Sequence, residues 1–182
     1  MRTQKISEKD KMCDTEVYTV RVDTVYASSN VDFVVYLNNP MKNVVKAELM
    51  YASVHANTST SNIMYVHVTE LMSKFNDRAS SQYKFQASGT TSTEGSVSAA
   101  LSNVTQLTSA FATIPTDQQY TRTIFKSGSD FPIETKYIEP IRQLDRLSIK
   151  LMNATGGLLP ERDYTYMLFR FTCATKNVCR YP

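Results

Sequence analysis

Apolar and polar residues take turns along several short stretches of this chain, most clearly between residues 137 and 173. There Leu147, Ile149 and Leu151 alternate with Arg146, Ser148 and Lys150. Successive side chains of a strand point to opposite faces, so this spacing predicts a strand with one aliphatic and one polar face. Asn153-Ala154-Thr155-Gly156-Gly157 follows as a turn signal, because glycine reaches positive φ without a Cβ clash. A second run, 164–173, is rich in aromatics and sets Met167, Phe169, Phe171 and Cys173 on one side. The two runs are expected to pair as an antiparallel unit at the centre of a sheet. Their apolar face then needs a second sheet to cover it.

The same alternation recurs upstream. Residues 17–26 place Tyr18, Val20 and Val22 opposite Thr19, Arg21 and Asp23, and Ala27-Ser28-Ser29-Asn30 breaks the run. Residues 31–37 carry Phe33, Val35 and Leu37 on one face, yet Val34 and Tyr36 opposite are hardly polar. A strand apolar on both sides is either central to a sandwich or covered by a neighbouring subunit. Asn38-Asn39-Pro40 reads as a turn, since proline cannot continue a ladder. Residues 43–54 set Val45, Ala47, Leu49 and Tyr51 against Lys46 and Glu48. Ala, Glu, Leu and Met are helix formers, so a helix competes there, but the alternation of the charges favours a strand. Further strands are expected at 63–71, 111–114 and 120–125, with a short one at 83–86. Phe131-Pro132-Ile133 and Glu139-Pro140 bracket an irregular connection, and residues 88–108 form a Ser/Thr-rich stretch without a firm period. About eight short strands with turn signals between them, no long amphipathic helix and no internal repeat predict an all-β sandwich or barrel. The expected organisation is an extended arm at 1–16, one domain at 17–175 and a tail at 176–182.

Composition changes this picture little. The 182 residues suit one domain with its own core, and 42% hydrophobic against 20% charged residues is ordinary for a globular chain. The net charge of +3 is mild and forms no block, which argues against direct nucleic-acid binding. No run approaches the ~20 apolar residues of a membrane span. The opening residues lack the apolar segment of a secretory signal. Cys13, Cys173 and Cys179 are odd in number and without metal-ligand spacing, so they are read as reduced thiols. Both points suit folding in a reducing compartment.

Chemistry is hard to find. There is no G-x-S-x-G, P-loop or G-x-G-x-x-G. His55 ends a strand and His67 sits inside one, where a paired surface or core group is the ordinary role. Asp145, Glu161, Arg162 and Asp163 fall at turns and strand ends, where charge blunts unwanted pairing. Arg21, Arg122, Arg142, Arg146, Lys150 and Arg170 occur singly and read as a solvated sheet face. The triplets at Asn57, Asn103 and Asn153 match a glycosylation signal by chance in a Ser/Thr-rich chain. No catalytic, metal or cofactor-binding residue is therefore assigned, and an enzyme is not expected.

Two segments resemble a known family. Residues 33–54, F-V-V-Y-L-N-N-P-M-K-N-V-V-K-A-E-L-M-Y-A-S-V, look like the L-x-x-P-hydrophobic-x-N-V-V entry of single jelly-roll capsid proteins of large icosahedral double-stranded DNA viruses. Residues 137–156, Y-I-E-P-I-R-Q-L-D-R-L-S-I-K-L-M-N-A-T-G, resemble the proline loop, alternating strand and glycine turn of the same proteins, and 164–171 resembles their closing strand. The stretch 73–119 has no counterpart. The resemblance implies a single eight-stranded antiparallel jelly roll in a virion shell, made in the host cytoplasm. It implies a penton protein forming a homopentamer at the five-fold vertices, or a minor capsid (cement) protein between major capsomers. Its partners would be further copies and neighbouring capsid proteins. The alternative of another class is a lectin-like or receptor-binding jelly roll, with 88–108 as a recognition loop.

Overall fold

The computed structural model describes residues 15–55, 63–72, 110–116, 122–153, 156–160 and 163–175. The strands are β1 (Thr15–Asp23), β2 (Asp32–Val54), β3 (Ile63–Val68), β4 (Ala112–Pro115), β5 (Thr123–Lys126), β6 (Ile133–Met152) and β7 (Tyr166–Ala174). A short 3₁₀ turn, Thr69–Leu71, follows β3. Every pairing is antiparallel, in the order β1-β7-β2-β6-β3-β4, with β5 also on β2. The fold is all-β, as the alternation predicts.

Two strands are too long to lie flat. At ~3.3 Å per residue the 23 residues of β2 would reach roughly 75 Å, against about 40 Å across a compact domain of this size. β2 and its partner β6 therefore bend together, and the register records where. Pairing jumps from Tyr36↔Arg146 to Met41↔Leu144, then from Val44↔Ile141 to Lys46↔Lys136. The first jump leaves 37–40 on β2 against Asp145, and the second leaves 137–140 on β6 against Val45, each longer run ending in a proline with no N–H to donate. Asn43 lies between the two jumps with φ 53°.

The bends divide the strands between two layers. The N-terminal half of β2 pairs with the C-terminal half of β6, which carries β3 and then β4. The C-terminal half of β2 has β7 and β1 on one side, and the start of β6 and β5 on the other. The sheet curls until its ends meet: the Phe111 ring lies 6.0 Å from Phe169 of β7, and Tyr137 Oη donates to the Leu71 carbonyl at 3.1 Å. Between the layers sits one core, with Phe33, Val66, Leu147, Ile149 and Leu151 facing Leu49, Phe125, Met167, Phe169 and Phe171. Phe169 and Phe171 stack at 6.1 Å.

Several expectations need correction. Asn38-Asn39-Pro40 and Glu139-Pro140 interrupt the ladder without ending their strands, and the described residues form seven strands where about eight were expected over the whole chain. The runs at 147–151 and 164–173 do not pair with each other, because β2 stands between β6 and β7. The turn after β6 folds back on β6 itself. Asn153 N donates to the Gly157 carbonyl, Leu159 N donates to that of Leu151, and Gly156 takes φ 83°. The chain then crosses to the other layer. β1 ends at Asp23, where Thr24 N–H and Thr165 carbonyl bond and Thr165 Oγ1 donates to the Asn30 carbonyl. β3 gives way to the 3₁₀ turn at Thr69, and β5 starts at Thr123. The arm up to residue 14, the short strand at 83–86, the stretch 88–108 and the tail from 176 lie outside the described residues.

Candidate functional site

Among the described residues, the sheet's outward faces and free edges hold the polar chemistry. On the β1-β7-β2 layer, two single-residue irregularities in β2 set what points outward. Registers jump between Val44 and Lys46 and between Leu49 and Tyr51, so Lys46, Glu48, Tyr51 and Ser53 face out while Ala47, Leu49, Ala52 and Val54 face the core. Strict alternation puts Tyr51 inside with Leu49. The extra residue Met50 turns it to the other face.

Tyr51 there meets Tyr166 edge to face, with ring centroids 5.7 Å apart. Together with Leu168 and Ser53 they line an open depression of about 460 Å³. Ser53 forms its floor and is only 6% exposed. Arg122 Nη1 donates to Ser53 Oγ at 2.8 Å, and Nη2 is ion-paired with Asp163 and reaches the Tyr164 carbonyl at 3.4 Å. Asp163 is held below the usual carboxylate range, first by the Tyr164 N–H it accepts and then by Arg122. Ile124 and Tyr164 stand exposed nearby.

Further along the same face five charges span three strands. Lys46 Nζ lies 2.9 Å from Glu48 and 2.6 Å from Glu134, Lys136 is 3.7 Å from Glu134, and Arg170 is 3.8 Å from Glu48. The hydrogen bond to Glu134 raises the Lys46 pKa, with Glu48 adding to it, and the Glu134 pKa is lowered in return.

On the other layer, Glu70 of the 3₁₀ turn takes the place of a strand. The β3 ladder on β6 ends at Val68↔Ile149, and the next β6 donor, Ser148 N–H, goes to Glu70 Oε2 at 2.7 Å. Ser148 Oγ donates to Glu70 Oε1 at 2.7 Å, and Arg146 Nε approaches the same oxygen at 3.3 Å. His67 is 6% exposed opposite Lys150, and its Nδ1 has no partner. Burial pushes its pKa down, Lys150 pushes it further, and Glu70 opposes both.

The sequence candidates are scattered among these features. His55 lies just past β2 with its Nε2 buried and unpartnered. Asp145 and Arg142 are exposed on β6, and Glu161 and Arg162 lie outside the described residues. Arg21, Arg122, Arg146, Lys150 and Arg170 are each ion-paired, to Asp23, Asp163, Glu70, Asp32 and Glu48. Cys173 is a buried free thiol whose pKa burial raises. Asn153 Oδ1 accepts Gly157 N–H at 3.0 Å, so that side chain is engaged in its turn. Among the described residues no three His, Cys, Asp or Glu side chains gather as metal ligands, and no helix is long and apolar enough to cross a membrane. No protein-family model and no curated protein sequence matches the chain.

Among the described residues several strands leave an edge open, β1 and β2 among them. Among the described residues β1 pairs only with β7, and the N-terminal half of β2 only with β6. Val17 and Tyr18 on β1, and Val34 and Tyr36 on β2, are exposed there, Tyr36 by 72%. Among the described residues Val34 and Tyr36 thus lie on an edge strand.

Proposed function

We propose that this chain is a single jelly-roll shell subunit that assembles as a pentamer at the vertices of an icosahedral capsid. The observation that carries the reading is the pairing order. Dividing β2 and β6 at their bends, and joining β5 to the start of β6 along the same edge of β2, gives eight segments. In chain order they pair as 1-8-3-6 in one layer and 2-7-4-5 in the other. The first segment thus meets the eighth, the second the seventh, the third the sixth and the fourth the fifth, as when one long hairpin is rolled up into a jelly roll. The resemblance of residues 33–54 and 137–156 to capsid proteins supplies the setting.

Self-association draws support from the open edge of β2. An apolar, exposed edge strand is a liability unless it is covered, and a ring covers it by seating one side of each subunit on the opposite side of the next. Light scattering on the purified full-length chain tests this. A pentamer has a mass of roughly 103 kDa, five times the 20.6 kDa chain. Tyr36→Asp is expected to shift the assembly toward monomer with the fold intact. A wild-type chain that stays monomeric at high concentration overturns the pentamer. If that monomer binds assembled larger capsomers, the cement-protein reading takes its place.

A further inference from the structure

We infer that the depression formed by Tyr51, Ser53, Tyr166 and Leu168 on the outer face of β2 and β7 is a binding site for a neutral saccharide. This does not rest on the shell reading, since β1 on one side and β5 on the other separate the depression from the edges of its layer.

The size of the site argues first. Its volume of about 460 Å³ falls within the range of small-ligand sites. Its openness suits a ligand that lies on the surface.

The chemistry then selects the class. A pyranose offers a C–H face on one side and hydroxyls around its rim. The edge-to-face tyrosine pair and Leu168 supply an apolar, aromatic surface for the first. Ser53 supplies a polar point in the floor. Its oxygen already accepts from Arg122, and a hydroxyl in that position keeps a proton to donate. A few placed polar groups on an apolar lining is the usual build of a ligand site.

Charge weighs against an acid seated at the floor. Arg122, the cation that touches Ser53, is already matched by Asp163 and the Tyr164 carbonyl, and Arg21, opposite Leu168, is matched by Asp23, while Lys126, opposite Tyr51, stands at the rim. A phosphate or carboxylate there would have to displace Asp163. A neutral polyol can instead use the outward edges of the guanidinium and carboxylate together, as donor and acceptor.

The test is saturation-transfer NMR and calorimetry on the full-length chain with glucose, galactose, mannose, N-acetylglucosamine and lactose, and with sialyllactose and a heparin oligosaccharide as acidic probes. At least one neutral sugar is expected to bind, with transfer strongest on its ring C–H protons. Tyr51→Ala and, separately, Tyr166→Ala should weaken it by about tenfold or more, and Tyr51→Phe, which keeps the ring, should stay within about threefold. Melting curves establish that each variant folds, and two independent tyrosines guard against one failing to. The inference is overturned if no neutral sugar binds, if only the acidic probes bind with strong salt dependence, or if both alanine variants bind as wild type. Loss of self-association in Tyr51→Ala would overturn it in favour of a second copy of the chain. A pentamer that binds no sugar refutes this inference alone, and a sugar-binding monomer refutes only the pentamer.

Discussion

Replacing Glu70 by alanine removes a side chain that does the work of a missing strand. The carboxylate accepts Ser148 N–H and Ser148 Oγ, both at 2.7 Å, and Arg146 Nε at 3.3 Å. A hydrogen bond to a charged acceptor contributes about 1.5–3 kcal/mol. The Arg146 contact deserves a steep discount, because that side chain is 53% exposed and exposed pairs contribute about 0–1 kcal/mol. Ser148 is only half-buried, so water recovers part of what its N–H and hydroxyl lose. The expected cost is about 2–3 kcal/mol, well below the sum of three bonds. For a domain of this length that lowers Tm by roughly 5–10 °C. Urea and thermal melts at pH 7 of Glu70→Ala, Ser148→Ala and the double variant measure it, with a coupling of about 1 kcal/mol or more expected between the two. If Glu70→Ala costs less than about 0.5 kcal/mol, or the two changes simply add, Glu70 is not acting as a surrogate strand partner.

Phe169→Ala should cost about 3–5 kcal/mol, because the ring is fully buried against Phe111 and Phe171, and chemical denaturation will show the midpoint falling with its slope unchanged. Burial and Lys150 depress the folded pKa of His67 below 6.5, so the unfolded chain takes up its proton first as pH falls. Stability present above that value is therefore lost on acidification toward the folded pKa, and His67→Gln should flatten the loss between about pH 7 and 5 in melts. Glu134 is likewise depressed, from 4.5, chiefly by Lys46, so its contribution is full above 4.5 and disappears as pH falls through the folded value. Glu134→Gln should remove part of the acid sensitivity below about pH 4.5 while changing the slope at neutral pH little.

Where alternation runs unbroken, the faces could be read from the residues. Leu147, Ile149 and Leu151, and Met167, Phe169, Phe171 and Cys173, are all buried as the period of two requires. Where a strand carries an extra residue the reading slips by one position, and Tyr51 is the consequence. Prolines at 40 and 140 looked like ends because they interrupt a ladder, yet an interrupted ladder only needs the chain to bend. The pairing of β7 with β2 instead of β6 is a non-local fact, and local patterns do not encode it. The same limit hid the depression. Tyr51 and Tyr166 are unremarkable apart and meet only because their strands are neighbours. The basic residues were legible as an outward face, but the acidic partners of Lys150 and Arg170 come from other strands.

β2 and β6 each belong to both layers, and they turn the corner side by side. Prying the layers apart like the covers of a book would mean straightening two continuous ribbons that are also bonded to one another. Neither half has a hinge of its own. Amide exchange in the two halves of β2 should accordingly share a single opening energy, and a tug on one cover will be felt in the other.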